Sequence, residues 1–281
     1  MSNLALRALT ALVALPLVGL LVLWQQPLGF AALVWLVAGL ALTEYATMAL
    51  PDAPKAVRAG VVAIGVGLCA SLSLAPGFAL GWFIAAFVAV ATLVLLDPGE
   101  IGGAGRRLGA VALGVFYLGT LTAPLALLKR DEAHGAAWVL FAIAVSFGND
   151  TGAYFAGRGF GRHKLYPAVS PGKTVEGGIG GLAAGLLVMF VGRALFAPWL
   201  TIGDCLLVAI PAGIVGPIGD LVESLIKRAS GVKDSGRLLP VTAACSTVST
   251  RSSSSAPGST STRRTSAENK RPPAREPGGG S

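Results

Sequence analysis

The chain has 281 residues, a formal net charge of +8, and 53% hydrophobic but only 13% charged residues. Its mean hydropathy is +0.70. Because a soluble domain carries about 25% charged residues, this composition excludes an ordinary soluble globule, a disordered chain and a disulfide-stabilised secreted domain. The three cysteines, Cys69, Cys205 and Cys245, lack metal-type spacing and are expected to be buried or free thiols. A polytopic membrane protein remains.

Apolar runs of membrane-spanning length recur along the chain. We predict eight transmembrane helices, at about residues 6–24, 28–50, 56–75, 77–96, 108–128, 135–157, 175–197 and 202–226. Each is close to the roughly 20 residues that cross about 30 Å of hydrocarbon, where backbone groups must bond internally. The first run has no clear small-x-small cleavage site before Trp24 and is expected to be retained rather than removed as a signal peptide. The predicted fold is therefore an all-α helical membrane bundle.

Basic residues are distributed unevenly between the two sides of this bundle. One side would carry only Lys129 and Arg130. The other would carry thirteen basic residues: Arg7, Lys55, Arg58, Arg106, Arg107, Arg158, Arg162, Lys164, Lys173, Lys227, Arg228, Lys233 and Arg237. The positive-inside rule makes this richer side cytoplasmic, with the N-terminus on it. The predicted location is the inner (plasma) membrane.

A first polar segment, residues 146–178, begins at the inner end of the sixth span. Asp150, Tyr154 and Arg158 are spaced i, i+4, i+8 and therefore share one helix face. A carboxylate near membrane depth is costly and usually lines a cavity or a site. The simpler alternative is that Asp150 and Arg158 only complete a helix end.

The loop after that helix contains a Gly-Lys-Thr triplet at residues 172–174. The triplet is not a P-loop, because that motif needs glycine where Pro167 stands, and we expect no strand before it. The loop still enters a helix N-terminus, where free N–H groups and the helix dipole favour a phosphate. The alternative is an ordinary basic loop in which Thr174 caps the helix. The polar candidates here are Ser170, Lys173, Thr174 and Glu176.

A second polar segment, residues 216–240, lies at the inner end of the eighth span. Asp220, Glu223, Ser224 and Lys227 form a polar stripe at spacing i, i+3, i+4, i+7. The two acids suit Mg²⁺, which takes one or two carboxylates and completes its shell with phosphates and water. Four cations can pair with phosphate, and Asp234 can ligate or orient a lysine. These cations are Lys227, Arg228, Lys233 and Arg237. A stop-transfer cluster is the alternative, but it does not account for Asp220 inside the span.

Together the two segments resemble the phosphatidate cytidylyltransferase (CDP-diglyceride synthase) family. The resemblance covers roughly residues 145–240. Its most specific part is the spacing Ser-x-x-Lys-Arg-x₄-Lys-Asp, which starts at Ser224. The other matching pieces are DTGAY at 150–154, Gly157-Arg158, Ser170-Pro171, Lys173-Thr174, EGG at 176–178, GDL at 219–221 and Pro240.

The resemblance implies an enzyme that joins CTP and phosphatidate into CDP-diacylglycerol and pyrophosphate, with Mg²⁺, at the bilayer surface. The lipid phosphate would attack the α-phosphorus of CTP, so the protein would supply positioning and cationic neutralisation rather than a nucleophile. The expected catalytic residues are Asp220, Lys227, Arg228, Lys233 and Asp234. The expected substrate ligands are Asp150, Tyr154, Arg158, Ser170, Lys173, Thr174, Glu176 and Ser224. The expected metal ligands are Asp220 and Glu223.

Other readings of the sequence stay open. A CTP-dependent transferase acting on another lipid acceptor, or a membrane transporter, would also place polar groups in these spans. We expect no nucleic-acid partner, and the sequence leaves a homodimer open. By organisation, we divide the chain into N-terminal transmembrane helices at 1–130, a catalytic transmembrane region at 131–240, and a tail at 241–281.

The resemblance ends after Pro240. There the family pattern continues Gly-His-Gly-Gly, two residues, Asp-Arg-x-Asp and a last hydrophobic helix, whereas this chain has Thr242, Thr247 and Thr250 in place of the His and the two acids. The Ser/Thr/Pro/Arg-rich tail is predicted to be disordered. One allowed coding of residues 240–255, with one G inserted after the first codon, reads Pro-Gly-His-Gly-Gly-Val-Leu-Asp-Arg-Ile-Asp-Ser-Leu-Val-Val-Val. We hypothesise that a one-base deletion, natural or from sequencing, put the tail out of frame. We predict that the chain as written, which lacks the acid expected at 247, is inactive or severely impaired.

Overall fold

The protein is described by a computed structural model that covers residues 16–130 and 133–230. Residues 16–23 are helical (α1). The remaining helices are α2 (Pro27–Ala49), α3 (Lys55–Leu74), α4 (Ala79–Leu96), α5 (Ala104–Leu113), α6 (Gly119–Leu128), α7 (Gly135–Phe160), α8 (Val175–Leu195) and α9 (Ile202–Ala229). Short 3₁₀ turns, Pro76–Phe78 and Ile101–Gly103, precede α4 and α5, and a π-helical stretch, Gly114–Leu118, joins α5 to α6.

Seven helical segments of the described chain are long and apolar enough to cross a membrane. They correspond to the second to eighth predicted spans, so those predictions are confirmed by length and composition. The first predicted span is only partly described, as α1. The fourth of the seven segments, Ile101–Leu128, corresponds to the fifth predicted span but begins before the predicted residue 108, because helical structure already starts among the glycines and arginines ahead of the apolar run.

Large apolar side chains cover the outside of this bundle. Leu80, Leu95, Leu96 and Leu207 are each at least 74% exposed, and Phe87 is 63% exposed. In water such a surface would aggregate, since soluble monomers rarely expose large contiguous apolar patches. Hydrocarbon is the solvent that this surface fits, so the chain is a multi-pass membrane protein.

In the described part of the chain, buried apolar side chains form two clusters. The larger is built by α1 to α6 around residues such as Phe30, Leu42 and Val61, and it extends to Val139 of α7. The smaller joins α7, α8 and α9 through residues that include Phe141 and Met189. The second cluster supports the two polar segments identified in the sequence.

The π-helical stretch packs against both α2 and α3. A Cβ on Gly114 would collide with the ring of Tyr45, and one on Gly119 would lie 2.7 Å from the Gly65 carbonyl oxygen. Tyr45 also donates a 2.7 Å hydrogen bond to the Ala110 carbonyl. Glycine is therefore required at both ends of the π-helical stretch. The close contacts there fix the orientation of the side chains that the stretch carries.

A short antiparallel hairpin connects α7 to α8. Its strands are β1 (Lys164–Tyr166) and β2 (Ser170–Thr174), with Lys164 opposite Thr174 and Tyr166 opposite Ser170. The expectation that no strand precedes the Gly-Lys-Thr triplet was wrong. Strand β1 precedes the triplet, and the triplet itself lies in β2. The P-loop is still excluded by Pro167. The all-α prediction holds for the rest of the described chain.

At the end of the bundle opposite the hairpin, arginine side chains bind carbonyl groups of the segments that connect the helices. Arg130 donates to the carbonyls of Ser73 and Leu74, at 2.8 and 3.0 Å, which satisfies the C-terminus of α3. Arg193 donates to the Leu200 carbonyl at 2.6 Å. Cys69 and Cys205 are buried free thiols, as predicted. Cys245 lies outside the described residues.

Candidate active site

Helices α7 and α8 pack together through glycines. A Cβ on Gly152 would lie 2.5 Å from the Gly180 carbonyl oxygen, and one on Gly181 would lie 2.9 Å from the Asn149 carbonyl oxygen. Such small-residue interfaces let membrane helices approach closely in the absence of a hydrophobic driving force. This packing sets the position of Asp150, next to Asn149, relative to the loop that leads into α8.

An ion pair joins the two polar segments. Lys173 of β2 contacts the Asp220 carboxylate of α9 at 3.0 Å (Nζ to Oδ2) and the Pro217 carbonyl at 3.5 Å. Lys173 is 25% exposed and Asp220 is 56% exposed, so the pair lies at the edge of the bundle, open to solvent. Extended backbone in β2 sends alternate side chains to opposite sides, so that Lys173 reaches α9 while Thr174 is buried against α8.

Asp150 completes this group. Its carboxylate is within electrostatic range of both Asp220 and Lys173. The structure therefore brings together three residues that the sequence placed in separate segments. Two acids and one cation, held by α7, β2 and α9, form the centre of the candidate site.

Tyr117 approaches the same group from the N-terminal helices. Its hydroxyl donates to the Gly219 carbonyl at 3.4 Å, and it is within electrostatic range of Asp220 and Glu223. Its backbone lies in the π-helical stretch, a type of irregularity that is frequent at functional sites. Tyr117 is not among the residues predicted from the sequence, since nothing in the apolar run around it signals a contact with α9.

The other predicted ligands from the first segment contact each other or the hairpin. Arg158 donates to the Tyr154 hydroxyl at 2.8 Å. No ion pair joins Arg158 to Asp150 within the part of the chain that the structure describes. The simpler alternative, in which Asp150 and Arg158 only complete a helix end, is therefore not supported by an ion pair between them, and Arg158 is directed along the helix face by Tyr154.

At the N-terminus of α8, the hairpin already uses several backbone donors. Thr174 is the N-cap and accepts from Gly177 N at 3.1 Å, while Val175 N donates to the His163 carbonyl. Glu176 accepts from the His163 backbone N–H and contacts the His163 ring at 2.6 Å. Thr174 and Glu176 thus hold the hairpin in place, and His163 is a second residue that the sequence analysis did not identify.

Along α9 the predicted stripe is present as a helix face. Glu223 and Lys227 form an i, i+4 ion pair at 2.5 Å. Arg228 is exposed, and Ser224 and Ser170 are half-buried. Lys233 and Asp234 lie outside the described residues, as does the tail from 241.

Comparison with known proteins identifies the family of this chain. The sequence model of the Cytidylyltransferase family matches residues 5–242. A Brucella suis protein named phosphatidate cytidylyltransferase is 33% identical over 265 residues, covering 85% of this chain and 86% of that protein. Proteins of the same name from Staphylococcus haemolyticus and Staphylococcus epidermidis are 50% identical over 109 residues and 45% identical over 111 residues.

The matches to the staphylococcal proteins are partial. They cover 39% and 40% of this chain, and the chain spans only 42% and 43% of the length of those relatives. The family model, in contrast, matches all of the helices described above. Its match and that of the Brucella protein show that the chain belongs to the cytidylyltransferase family.

Proposed function

We propose that this protein is a membrane nucleotidyltransferase that converts CTP and phosphatidate into CDP-diacylglycerol and pyrophosphate. The name of the relatives from Brucella and Staphylococcus supports this substrate pair. The observation that carries the proposal is the contact between Lys173 and Asp220. It unites two polar segments, distant in sequence, into one solvent-accessible group on a membrane bundle.

In the proposed reaction, a phosphate oxygen of the lipid attacks the α-phosphorus of CTP, and the bond to the bridging oxygen of pyrophosphate breaks. Lys173 neutralises phosphate charge as it builds up, after exchanging its contact with Asp220 for one with the nucleotide. Arg158, directed by Tyr154, offers a planar group that can bind a second phosphate bidentately. Fixed cations that face developing charge are the largest single source of rate enhancement in such sites.

The residues present fit a magnesium ion. Asp150 and Asp220 lie close enough to influence each other electrostatically, and Mg²⁺ takes one or two carboxylates together with substrate phosphates. We propose that these two acids hold the ion, with Glu223 free to join after release from Lys227. When bound, the ion would neutralise phosphate oxygens and orient the nucleotide. Among the described residues no cluster of three acidic, His or Cys side chains forms a complete metal cage, so the substrate phosphates would supply the missing ligands.

We further propose that the site faces the cytoplasm in the plasma membrane. Bacterial relatives support the plasma membrane, and the basic residues of the connections at this end support the cytoplasmic side. CTP and the phosphate group of the lipid could then meet at the same surface.

The test is CTP- and Mg²⁺-dependent formation of CDP-lipid in membranes that contain phosphatidate. The chain with its reading frame restored after Pro240 should be active, and the chain as written should be strongly impaired. In the restored chain, Asp220→Asn should lower turnover at least about 100-fold, the loss typical for a main charged group of an active site.

The matched control is Asp52→Asn, which removes an exposed acid from the connection between α2 and α3 and should leave turnover unchanged. Absence of CDP-lipid from the restored chain would contradict the proposed function. Full turnover by the chain as written would contradict only the predicted impairment of that chain.

A further inference from the structure

A lateral groove lies between α2 and α3, outside the candidate active site. It has a volume of about 680 Å³. Its lining includes Thr43 and Thr47 of α2, together with Lys55, Arg58 and an apolar face from Ala59 to Val66 of α3. None of them belongs to the group around Lys173 and Asp220.

Polarity changes along the groove from one end to the other. Lys55 and Arg58 stand at the start of α3, whereas the lining from Ala59 to Val66 is entirely apolar. From Lys55 to Val66 the helix rises about 16 Å, close to half of the roughly 30 Å hydrocarbon core. The groove thus runs from the level of the headgroups to about the middle of the bilayer.

The groove opens sideways, towards lipid. Ala59 and Ala63 are exposed on a helix that is long and apolar enough to span the membrane. A water-soluble ligand would have to enter through hydrocarbon to fill the apolar part. The acyl chains of the surrounding bilayer reach it directly.

Lys55 and Arg58 are the charged side chains of the groove that can bind a charged group. Neither Lys55 nor Arg58 is within 4.0 Å of a carboxylate in the described residues. The hydroxyls of Thr43 and Thr47 donate to carbonyls of their own helix, Gly39 and Glu44, at 2.7 and 2.8 Å. The headgroup end is therefore positively charged, and no acid of the described chain forms an ion pair with it.

We propose that this groove binds one anionic glycerophospholipid, with its phosphate on Lys55 and Arg58 and an acyl chain along Ala59, Val62 and Val66. Arginine binds phosphate bidentately and lysine acts as a point charge. Both cations favour an anionic over a zwitterionic lipid, because a zwitterionic headgroup brings its own positive charge. The inference rests on the groove and the membrane setting, and not on the proposed enzymatic function.

The experiment is native mass spectrometry of the full chain released from nanodiscs made of phosphatidylglycerol and phosphatidylcholine in equal amounts. The expected result is retention of one phosphatidylglycerol per chain. Replacing both cations, Lys55→Gln with Arg58→Gln, should lower this retention about tenfold or more. The matched control, Arg106→Gln with Arg162→Gln, removes two exposed cations at the same end of the bundle and should change it less than twofold.

A second variant tests the acyl-chain part of the groove. Ala63→Trp keeps both cations but fills the apolar lining, and it should also abolish retention of phosphatidylglycerol. Glycerol 3-phosphate, which has the same charged group without acyl chains, should not compete. The proposal would be overturned by equal retention of the two lipids, by unchanged retention in Ala63→Trp, or by competition from glycerol 3-phosphate. It would also be overturned if an Ala63→Cys variant formed a cross-linked dimer without bound lipid, because the groove would then be an interface between two chains.

Discussion

Lys173 links the hairpin to α9, and its two contacts there have different consequences. The contact with the Pro217 carbonyl orients the side chain, while the ion pair with Asp220 is solvent-exposed and therefore easily exchanged. A weak resting pair of this kind suits a residue that must transfer its charge to an incoming phosphate.

We therefore predict that Lys173→Met lowers kcat/KM for CTP at least about 100-fold in the restored chain, as expected for loss of a cation from a phosphoryl-transfer site. The control is Lys164→Met, which removes an exposed lysine from β1 of the same hairpin. Steady-state rates of CDP-lipid formation check both. Comparable losses in the two variants would show that hairpin charge as a whole, and not Lys173, is required.

Tyr117 provides a finer test of the site. Tyr117→Phe removes the hydrogen bond to Gly219 but preserves the ring packing, so it should cost about 0.5–1.5 kcal/mol, or about 2- to 13-fold in rate. The unfolding temperature in detergent should stay within a few degrees, which separates positioning from stability. If the rate is unchanged, Tyr117 does not position the α9 residues.

At the scale of elements, the interface between α7 and α8 determines where Asp150 lies. Gly152, Gly180 and Gly181 each approach a backbone carbonyl across this interface, so even one methyl group has no room. Gly178 belongs to the same helix but has open space where its Cβ would be.

This contrast gives a matched pair of substitutions. Gly181→Ala should lower the free energy of unfolding by about 1–3 kcal/mol, the usual cost of overpacking, and should reduce activity by displacing Asp150. Gly178→Ala should leave both unchanged. Thermal unfolding in detergent, followed together with turnover, checks the pair; equal stability of the two variants would mean that the interface can separate without cost.

The sequence predicted the helices of this fold better than their contacts. Spans two to eight follow from hydropathy, because lipid requires long apolar helices with internal hydrogen bonds. The hairpin was missed because residues 164–174 lack strand alternation and are held by tertiary contacts, such as those of His163 with Val175 and Glu176.

The candidate site was predictable only in its parts. Asp150, Lys173 and Asp220 were each identified from local spacing, yet their proximity depends on how α7, α8 and α9 pack. Lys173 and Pro217 are 44 residues apart, and no periodicity connects them. The contact of Tyr117 with Gly219 spans 102 residues and depends on a π-helical stretch that hydropathy cannot predict.

At the scale of the whole molecule, consecutive spans alternate in direction. The connections around residues 50–54, 97–100 and 161–174 therefore share one end, and those around 75 and 196–201 share the other. Contacts support the second end: Arg130 binds the end of α3, and the ring of His134 stacks on Trp199 at 3.9 Å. The groove cations and the candidate site consequently lie at the same end of the bundle.

Cysteine labelling tests this topology and its orientation. In a Cys245→Ser background, single cysteines at Asp52→Cys and Gly172→Cys should react with a membrane-impermeant maleimide only in inside-out vesicles, as the proposed cytoplasmic location of the basic end requires. Gly77→Cys and Pro198→Cys should react only in right-side-out vesicles, since both sites are exposed at the other end. The native Cys69 and Cys205 are buried and should give a low background. Labelling of positions 52 and 172 from opposite sides would contradict the span count. A complete exchange of the two labelling patterns would be consistent with the span count but would place CTP binding outside the cytoplasm, and so would contradict the proposed function.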